Sequence, residues 1–298
     1  MSRRRPPNTH GLAVVDKPAG VTSHDVVAML RRRLGERQVG HAGTLDPDAT
    51  GVLLVGVGKA TRLLRFLTDL GKTYSAEVVF GSTTDSLDST GVPTGAFDMS
   101  GLTPELVQAA VTNHLTGHIM QIPPMVSAVK IDGRRLHELA REGIEIPRPP
   151  RPVTIQRFDI APTDDPLVYT IEVQCSKGTY IRTLADDLGR LCGGGAHLRA
   201  LRRVAVGSFT ADEAAAPDAV ELLTLPQAVR DYPQVTISAE QAALVRNGRV
   251  LERAAIGVAG DGPWALLGPE GELLAMYEVC SDTGAKPSVV VASLSVAS

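Results

Sequence analysis

The alternation of apolar and polar positions divides the chain into short strands and amphipathic helices in irregular order. Gly11 to Val15 (GLAVV) reads as an apolar strand, closed by a turn over Asp16 to Gly20 in which Pro18 and Gly20 act as breakers. Next, Val26, Val27, Leu30 and Leu34 share one helical face, with Thr22 or Ser23 as N-cap and Gly35 at the end. Val52 to Val57 (VLLVGV) reads as a buried strand, Lys59 to Thr68 as a helix with Leu63, Leu64 and Leu67 on one side, and Thr73 to Phe80 as an alternating strand before the polar loop Gly81 to Gly91. Pro104 suits the first turn of a helix running to Leu115.

Ile122 to Gly143 predicts a strand, a turn at Asp132-Gly133 and a helix. The proline-rich stretch Arg148 to Val153 must be extended, because each proline fixes φ and removes a donor. Strands follow at Thr154 to Ile160 and Val168 to Cys175, and Cys175 to Gly193 passes from a strand end into a helix. The alanine-rich stretch Ala214 to Asp231 predicts a helix at its start, and beyond Pro233 come short β-rich pieces such as WALLG and ELLAMYEV, separated by glycines. Strands that do not alternate regularly with helices predict an α+β fold: a mixed, mostly antiparallel sheet flanked by helices, with a small C-terminal β-rich domain. The division falls at 1–232 and 233–298.

Composition narrows the function. At 43% hydrophobic and 21% charged residues the chain is that of a soluble globular protein. No apolar run reaches the ~18 residues of a membrane span, and the short GLAVV after Arg3-Arg4-Arg5 is no signal peptide, so a cytoplasmic location is expected. Cys175, Cys192 and Cys280 are far apart, without a C-x-x-C pair, which argues against a zinc site or a disulfide framework. The net charge of −3 hides an uneven spread: Thr210 to Ser298 carries 5 basic against 12 acidic residues, leaving the rest of the chain with a surplus of four positive charges. Arginine clusters there, at 3–5, 31–33, 134–135, 148 with 151, and 199 with 202–203, are solvated helix faces or phosphate-binding patches.

The strongest candidate for chemistry is the loop GHAGTLDPDATG, Gly40 to Gly51. Pro47 pushes Asp46 toward extended backbone, so a stiff chain presents the carboxylate just before a buried strand. From spacing alone the loop is equally an Asp-Pro turn whose Asp bonds its own backbone.

Six segments in order, DKPAGVTSHDVV, GHAGTLDPDATGVLLVGVGKAT, KTYSAEVVFGSTTDSLDSTG, PPMVSAVKIDGRRLHELAR, CSKGTYIRTLADDLG and GAHLRALRRVAVG, resemble the bacterial TruB family of tRNA pseudouridine synthases. The same motifs are similar to those of archaeal and eukaryotic guide-RNA-dependent relatives. The resemblance implies the pseudouridine synthase fold with a C-terminal PUA-like domain. It also implies isomerisation of uridine 55 in the T loop of tRNA, without metal or cofactor, by a monomer that binds the T stem-loop and needs no obligatory protein partner.

Residue by residue, it makes Asp46 the catalytic carboxylate and Arg182 its guanidinium partner. Tyr74 contacts the flipped uracil ring and helps move the C5 proton, while Tyr180 and Leu201 line the base pocket. His41 stacks where the flipped nucleotide was, or is an ordinary loop histidine or a general base. Lys130 contacts phosphate or supports the pocket, and Lys17 either touches RNA or packs beneath the Asp46 loop.

Overall fold

Five apolar residues, Gly11 to Val15, run on into Asp16 and Lys17 to form strand β1, buried almost end to end. The computed structural model describes residues 8–127, 130–131 and 133–292. These fall into two units, one made of Met1–Pro47, Gly51–Asp69 and Val206–Ser298, the other of Asp48–Thr50 and Leu70–Ala205.

In the first unit β1 runs antiparallel to β3 (Thr50–Val57), Lys17 lying opposite Gly51. β2 (Val39–Ala42) pairs antiparallel with the other side of β3. Helix α1 (Ser23–Leu34) buries Val26, Val27 and Leu30, and Gly35, at φ 61°, ends it in the left-handed conformation. Of the two hydroxyls able to cap it, Thr22 does so, in a reciprocal capping box with Asp25. The helix expected at Lys59 to Thr68 divides into a tight 3-10 turn, Gly58–Leu63, and α2 (Leu64–Asp69).

The alanine-rich stretch after Ala214 is not helical at its start, contrary to propensity. Its backbone lies along β1: the Asp16 N–H donates to Ala215 O at 2.9 Å and the Ala215 N–H to Val14 O at 3.1 Å. Pro217 then removes a donor that a helix would need. Past the short strands β13 (Phe209–Thr210) and β14 (Leu222–Leu223), the latter antiparallel to β1, α6 (Leu225–Ala228) spans a single turn.

The last part of this unit is a five-stranded sheet of β15 (Gln234–Thr236), β17 (Trp264–Leu267), β18 (Leu273–Val279), β19 (Gly284–Val290) and β16 (Leu251–Glu252), in that order. Helix α7 (Ala239–Arg246), which the hydrophobic pattern did not suggest, closes it with a Ser238–Gln241 capping box. Trp264 and Tyr277 fill its core, and each satisfies its polar atom: Trp264 Nε1 donates to Ala259 O at 3.1 Å, Tyr277 OH to Arg249 O at 2.7 Å.

The second unit is built on β12 (Ala196–Val206), β4 (Lys72–Phe80), β11 (Val168–Cys175), β10 (Arg151–Pro162) and β7 (Gly117–Gln121), neighbours in that order. The β4–β11, β11–β10 and β10–β7 pairs are antiparallel. Two small ribbons, β5 (Ser82–Thr84) with β6 (Pro93–Ala96) and β8 (Lys130–Ile131) with β9 (Arg134–Arg135), decorate it. Asp132, at the expected turn of the second ribbon, lies outside the described residues. Helices α3 (Pro104–His114), α4 (Leu136–Arg141) and α5 (Ile181–Leu191) complete the unit, with α5 packed on β4. Among the described residues no helix is long and apolar enough to cross a membrane.

The seat of α5 is tight. A Cβ added at Gly189 would stand 2.2 Å from Ala196 N and 2.6 Å from the Gly195 carbonyl carbon, both backbone atoms that cannot swing away. Gly to Ala inside a helix ordinarily stabilises by about 1 kcal/mol. Here Gly189→Ala is predicted to destabilise by about 1–3 kcal/mol, because overpacking outweighs propensity. Urea denaturation of the two proteins checks the sign.

Candidate active site

Asp46 stands in the irregular connection between β2 and β3, half-buried, and its two neighbours in sequence are each held from the same place. On its N-terminal side, the Leu45 N–H donates to Ser23 Oγ at 2.9 Å, and Ser23 Oγ donates back to Leu45 O at 3.1 Å. On its C-terminal side, Pro47 O accepts from Lys17 Nζ at 2.7 Å and from the Gly20 N–H at 3.0 Å. Lys17 ends β1, Gly20 lies in the turn that follows, and Ser23 opens α1. The junction of β1 and α1 therefore fixes the backbone on both sides of Asp46.

Lys17 is 0% exposed, and its ammonium also donates to Pro18 O at 2.9 Å and Val21 O at 2.7 Å. Burying an ammonium costs several kcal/mol unless its protons are bonded. Three carbonyls meet its three N–H donors, and charge-assisted bonds of this kind are worth about 1.5–3 kcal/mol each. Of the two roles open to Lys17 in the sequence, the geometry selects packing beneath the Asp46 loop. Gly51, at φ 100°, lies opposite Lys17 where a side chain would be strained. His41 sits on β2 opposite Val55, half-buried.

In the second unit, Tyr74 lies on β4 opposite Val173 of β11 and is nearly buried. Tyr180 is the N-cap residue of α5, and Arg182 falls in its first turn. Arg182 is 4% exposed: Nη1 donates to Ser86 O and Nη2 to Val126 O, each at 2.8 Å, and Asp88 Oδ2 stands 3.5 Å from Nη1. Leu201 lies on β12, half-buried, while the side chain of Lys130 lies outside the described residues.

Two non-glycine residues among those described have left-handed backbones, Leu87 at φ 63° and Ala200 at φ 54°. Each costs about 1–2 kcal/mol of local strain and persists only where its surroundings hold it. Leu87 separates Ser86 from Asp88, turning both toward Arg182, and its carbonyl is held by the Leu198 N–H at 3.0 Å. Ala200 directly precedes Leu201.

The sequence did not single out Asp88 or Ser23. Asp88 sits in what reads as a polar loop, where its Oδ1 accepts from Ser86 Oγ at 2.7 Å and Thr90 Oγ1 at 2.6 Å. The signal was the spacing of hydroxyls at Ser86 and Thr90 around it. Ser23 looked like a helix cap, and only the selection of Thr22 frees it for Leu45. Of the arginines at 199–203, Arg199 pairs with Glu77 at 2.6 Å, whereas Arg203 is buried. A cavity of about 590 Å³ lined by His10, Lys59, Pro226, Arg246, Glu272 and Leu273 opens past the end of β3 remote from Asp46, and none of the expected catalytic residues lines it.

Two outcomes follow. Lys17→Met keeps the length of the stem but removes the donors; Pro47 O keeps the Gly20 N–H, while Pro18 O and Val21 O lose the Lys17 bond at about 1–3 kcal/mol each, so the thermal midpoint falls well below that of the wild type. A midpoint within a degree of wild type would remove Lys17 from this role. On α5, burial first and the adjacent Asp186 second push the Asp187 carboxyl from its usual 3.8 up to about 6, Arg190 opposing them. A raised folded-state value gives stability that is full below 3.8 and lost as pH climbs through about 6. Asp187→Asn therefore gains on the wild type in thermal midpoint between pH 4 and pH 7, and a constant difference across that range contradicts the assignment.

With this geometry in place, comparison with known proteins is direct. Residues 31–181 match the N-terminal domain of TruB family pseudouridylate synthase, and 182–235 match the C-terminal domain of tRNA pseudouridylate synthase B. The chain is 45% identical over 292 residues to a tRNA pseudouridine synthase B of Rhodococcus jostii, covering 93% of this chain and 94% of that one. It is 42% identical over 290 residues to that of Mycobacterium ulcerans, covering 94% of each. Among solved structures, a Cbf5-Nop10-Gar1 complex aligns with a TM-score of 0.73 at 25% identity, over 95% of this chain and 85% of that one. An H/ACA RNP bound to a substrate RNA containing 2′-deoxyuridine aligns at 0.71 and 23%, over 96% and 86%, a likeness of fold. The two domain matches and an identity of 42–45% over more than nine-tenths of the chain make one conclusion: this chain belongs to the TruB family of pseudouridylate synthases.

Proposed function

We propose that the chain converts the uridine at position 55 in the T loop of tRNA to pseudouridine, with Asp46 as the nucleophile. The observation that carries this reading is the 42–45% identity, over nine-tenths of the chain, to proteins named tRNA pseudouridine synthase B. The reaction breaks the N1–C1′ bond, turns the uracil and joins C5 to C1′; C5 loses a proton and N1 gains one. No oxidation state changes and no water is consumed, so the chemistry calls for neither a redox cofactor nor a metal.

A carboxylate serves the step because positive charge develops at C1′ as the glycosidic bond breaks. Attack at C1′, addition at C6 and removal of the 2′ proton all use the same group, Asp46. Arg182 pairs with that carboxylate and orients it. The uridine must leave its stack to be reached, and an extruded base is held by stacking and edge contacts. Tyr74 supplies the ring contact and helps move the C5 proton. Tyr180 and Leu201 close the pocket, His41 stacks in the space the nucleotide leaves, and Lys130 contacts phosphate. Lys17 acts from below, through the Pro47 carbonyl next to Asp46.

The catalytic domain is residues 1–232, and 233–298 form a PUA-like domain. We place the enzyme in the cytoplasm as a monomer that needs no protein partner. The structural relative solved as a Cbf5-Nop10-Gar1 complex makes the last point worth testing directly.

The test uses a synthetic T stem-loop tritiated at uracil C5, the purified chain alone, and Asp46→Asn. Release by the wild type and none by the variant supports the reaction, the nucleophile and independence from partners together. Tight binding without release by the wild type contradicts the proposal.

A further inference from the structure

Tyr180 caps α5 at its N-terminus without a side-chain cap of its own. Its backbone is held instead from another strand. Gln121, the last residue of β7, is 2% exposed; its Oε1 accepts from the Tyr180 N–H at 2.7 Å, and its Nε2 donates to Tyr180 O at 3.0 Å. The backbone dictates which end of the amide is which, since an N–H must meet the oxygen and a carbonyl must meet the nitrogen. Tyr180 O also accepts the first bond of the helix, from the Leu184 N–H at 3.2 Å. One side chain thus closes a two-bond ring on the residue that launches α5.

We infer that Gln121 is a positioning residue for the reaction, fixing the main chain of Tyr180 and, through the first turn of α5, the direction of Arg182. This rests on the function proposed above. A glutamine is an unusual choice for so buried a place, because an apolar residue would fill it without a polar group to satisfy. It is suited here for being donor and acceptor at once. A strand residue is also a rigid support, so the clamp ties the start of α5 to the sheet rather than to a loop. Arg182 lies two residues beyond the clamp and itself reaches back to Val126 O, five residues beyond Gln121. The chain segment that starts at Gln121 and the helix that starts at Tyr180 are consequently laced together twice.

The test compares three variants with the wild type on the tritiated stem-loop. Gln121→Met keeps the volume and removes both bonds. Gln121→Glu keeps the acceptor for the Tyr180 N–H and sets an oxygen against Tyr180 O. Val153→Ala, on β10 opposite Ile119 of β7, opens a cavity in the same sheet without touching the clamp. Displacement of reacting groups by ~1 Å costs on the order of 100-fold. Both Gln121 variants should therefore lose about 10- to 100-fold in kcat with stem-loop Kd held within about threefold, while Val153→Ala, with a comparable fall in Tm, keeps its kcat well below that temperature.

Wild-type kcat in either folded Gln121 variant overturns the inference, and so does an equal loss in Val153→Ala. Failure of both Gln121 variants to fold also overturns it, since the clamp would then hold the domain rather than the site. Asp46→Asn run alongside separates the two levels. An active Asp46→Asn sinks the proposed function, whereas an inactive one beside a fully active Gln121→Met sinks only the role of Gln121.

Discussion

A fully buried ammonium that donates to three backbone carbonyls is the constraint on which the Asp46 loop depends. Lys17 ends β1, and by bonding Pro18 O, Val21 O and Pro47 O it folds the β1–α1 turn onto the residue after Asp46. Ser23, the first residue of α1, holds the residue before it. The carboxylate thus projects, half-buried, from a backbone pinned on both sides. Loops carry chemistry well only when something rigid aims them. Here the rigid element is the first strand of the chain, 29 residues upstream of the aspartate.

The second unit solves a similar problem for a cation. Arg182 is held by carbonyl oxygens of Ser86 and Val126, with Asp88 nearby, so its planar guanidinium is fixed by several segments at once. Maintaining Leu87 in a left-handed conformation between two of those contacts costs energy that the rest of the loop must offset. Arg182 is thus anchored by main-chain carbonyls, which are indifferent to most substitutions, whereas beside Asp46 it is the backbone that is held, by the side chains of Lys17 and Ser23.

Local physics explains how much of this was legible in the sequence. The strands at Gly11, Val52, Thr73 and Val168 were readable because their apolar runs or alternation persist for five or more residues. The extended run after Arg148 was equally plain, since proline leaves little choice. β7 and β12 were not assigned as strands, because GHIMQ is too short to show a period and arginines interrupt AHLRALRRVAV. The alanine-rich stretch misled because alanine's helix propensity is weak beside backbone pairing to β1 and a proline in the third place after Ala214.

In the site, the Asp46 loop stood out through its glycines, its proline and the ordered motifs around it. What those signals left open was the work of Lys17, Ser23, Asp88 and Gln121, which is done through bonds to distant backbone that no spacing rule encodes.

Amide hydrogen exchange in the wild-type protein tests whether the backbone on both sides of Asp46 is fixed from the junction of β1 and α1. The two amides to watch are Leu45, which donates to Ser23 Oγ, and Gly20, which donates to Pro47 O. The account predicts that both exchange as slowly as amides at the centre of β3, opening only when the unit unfolds. Exchange at either position within about tenfold of an unstructured peptide would contradict it.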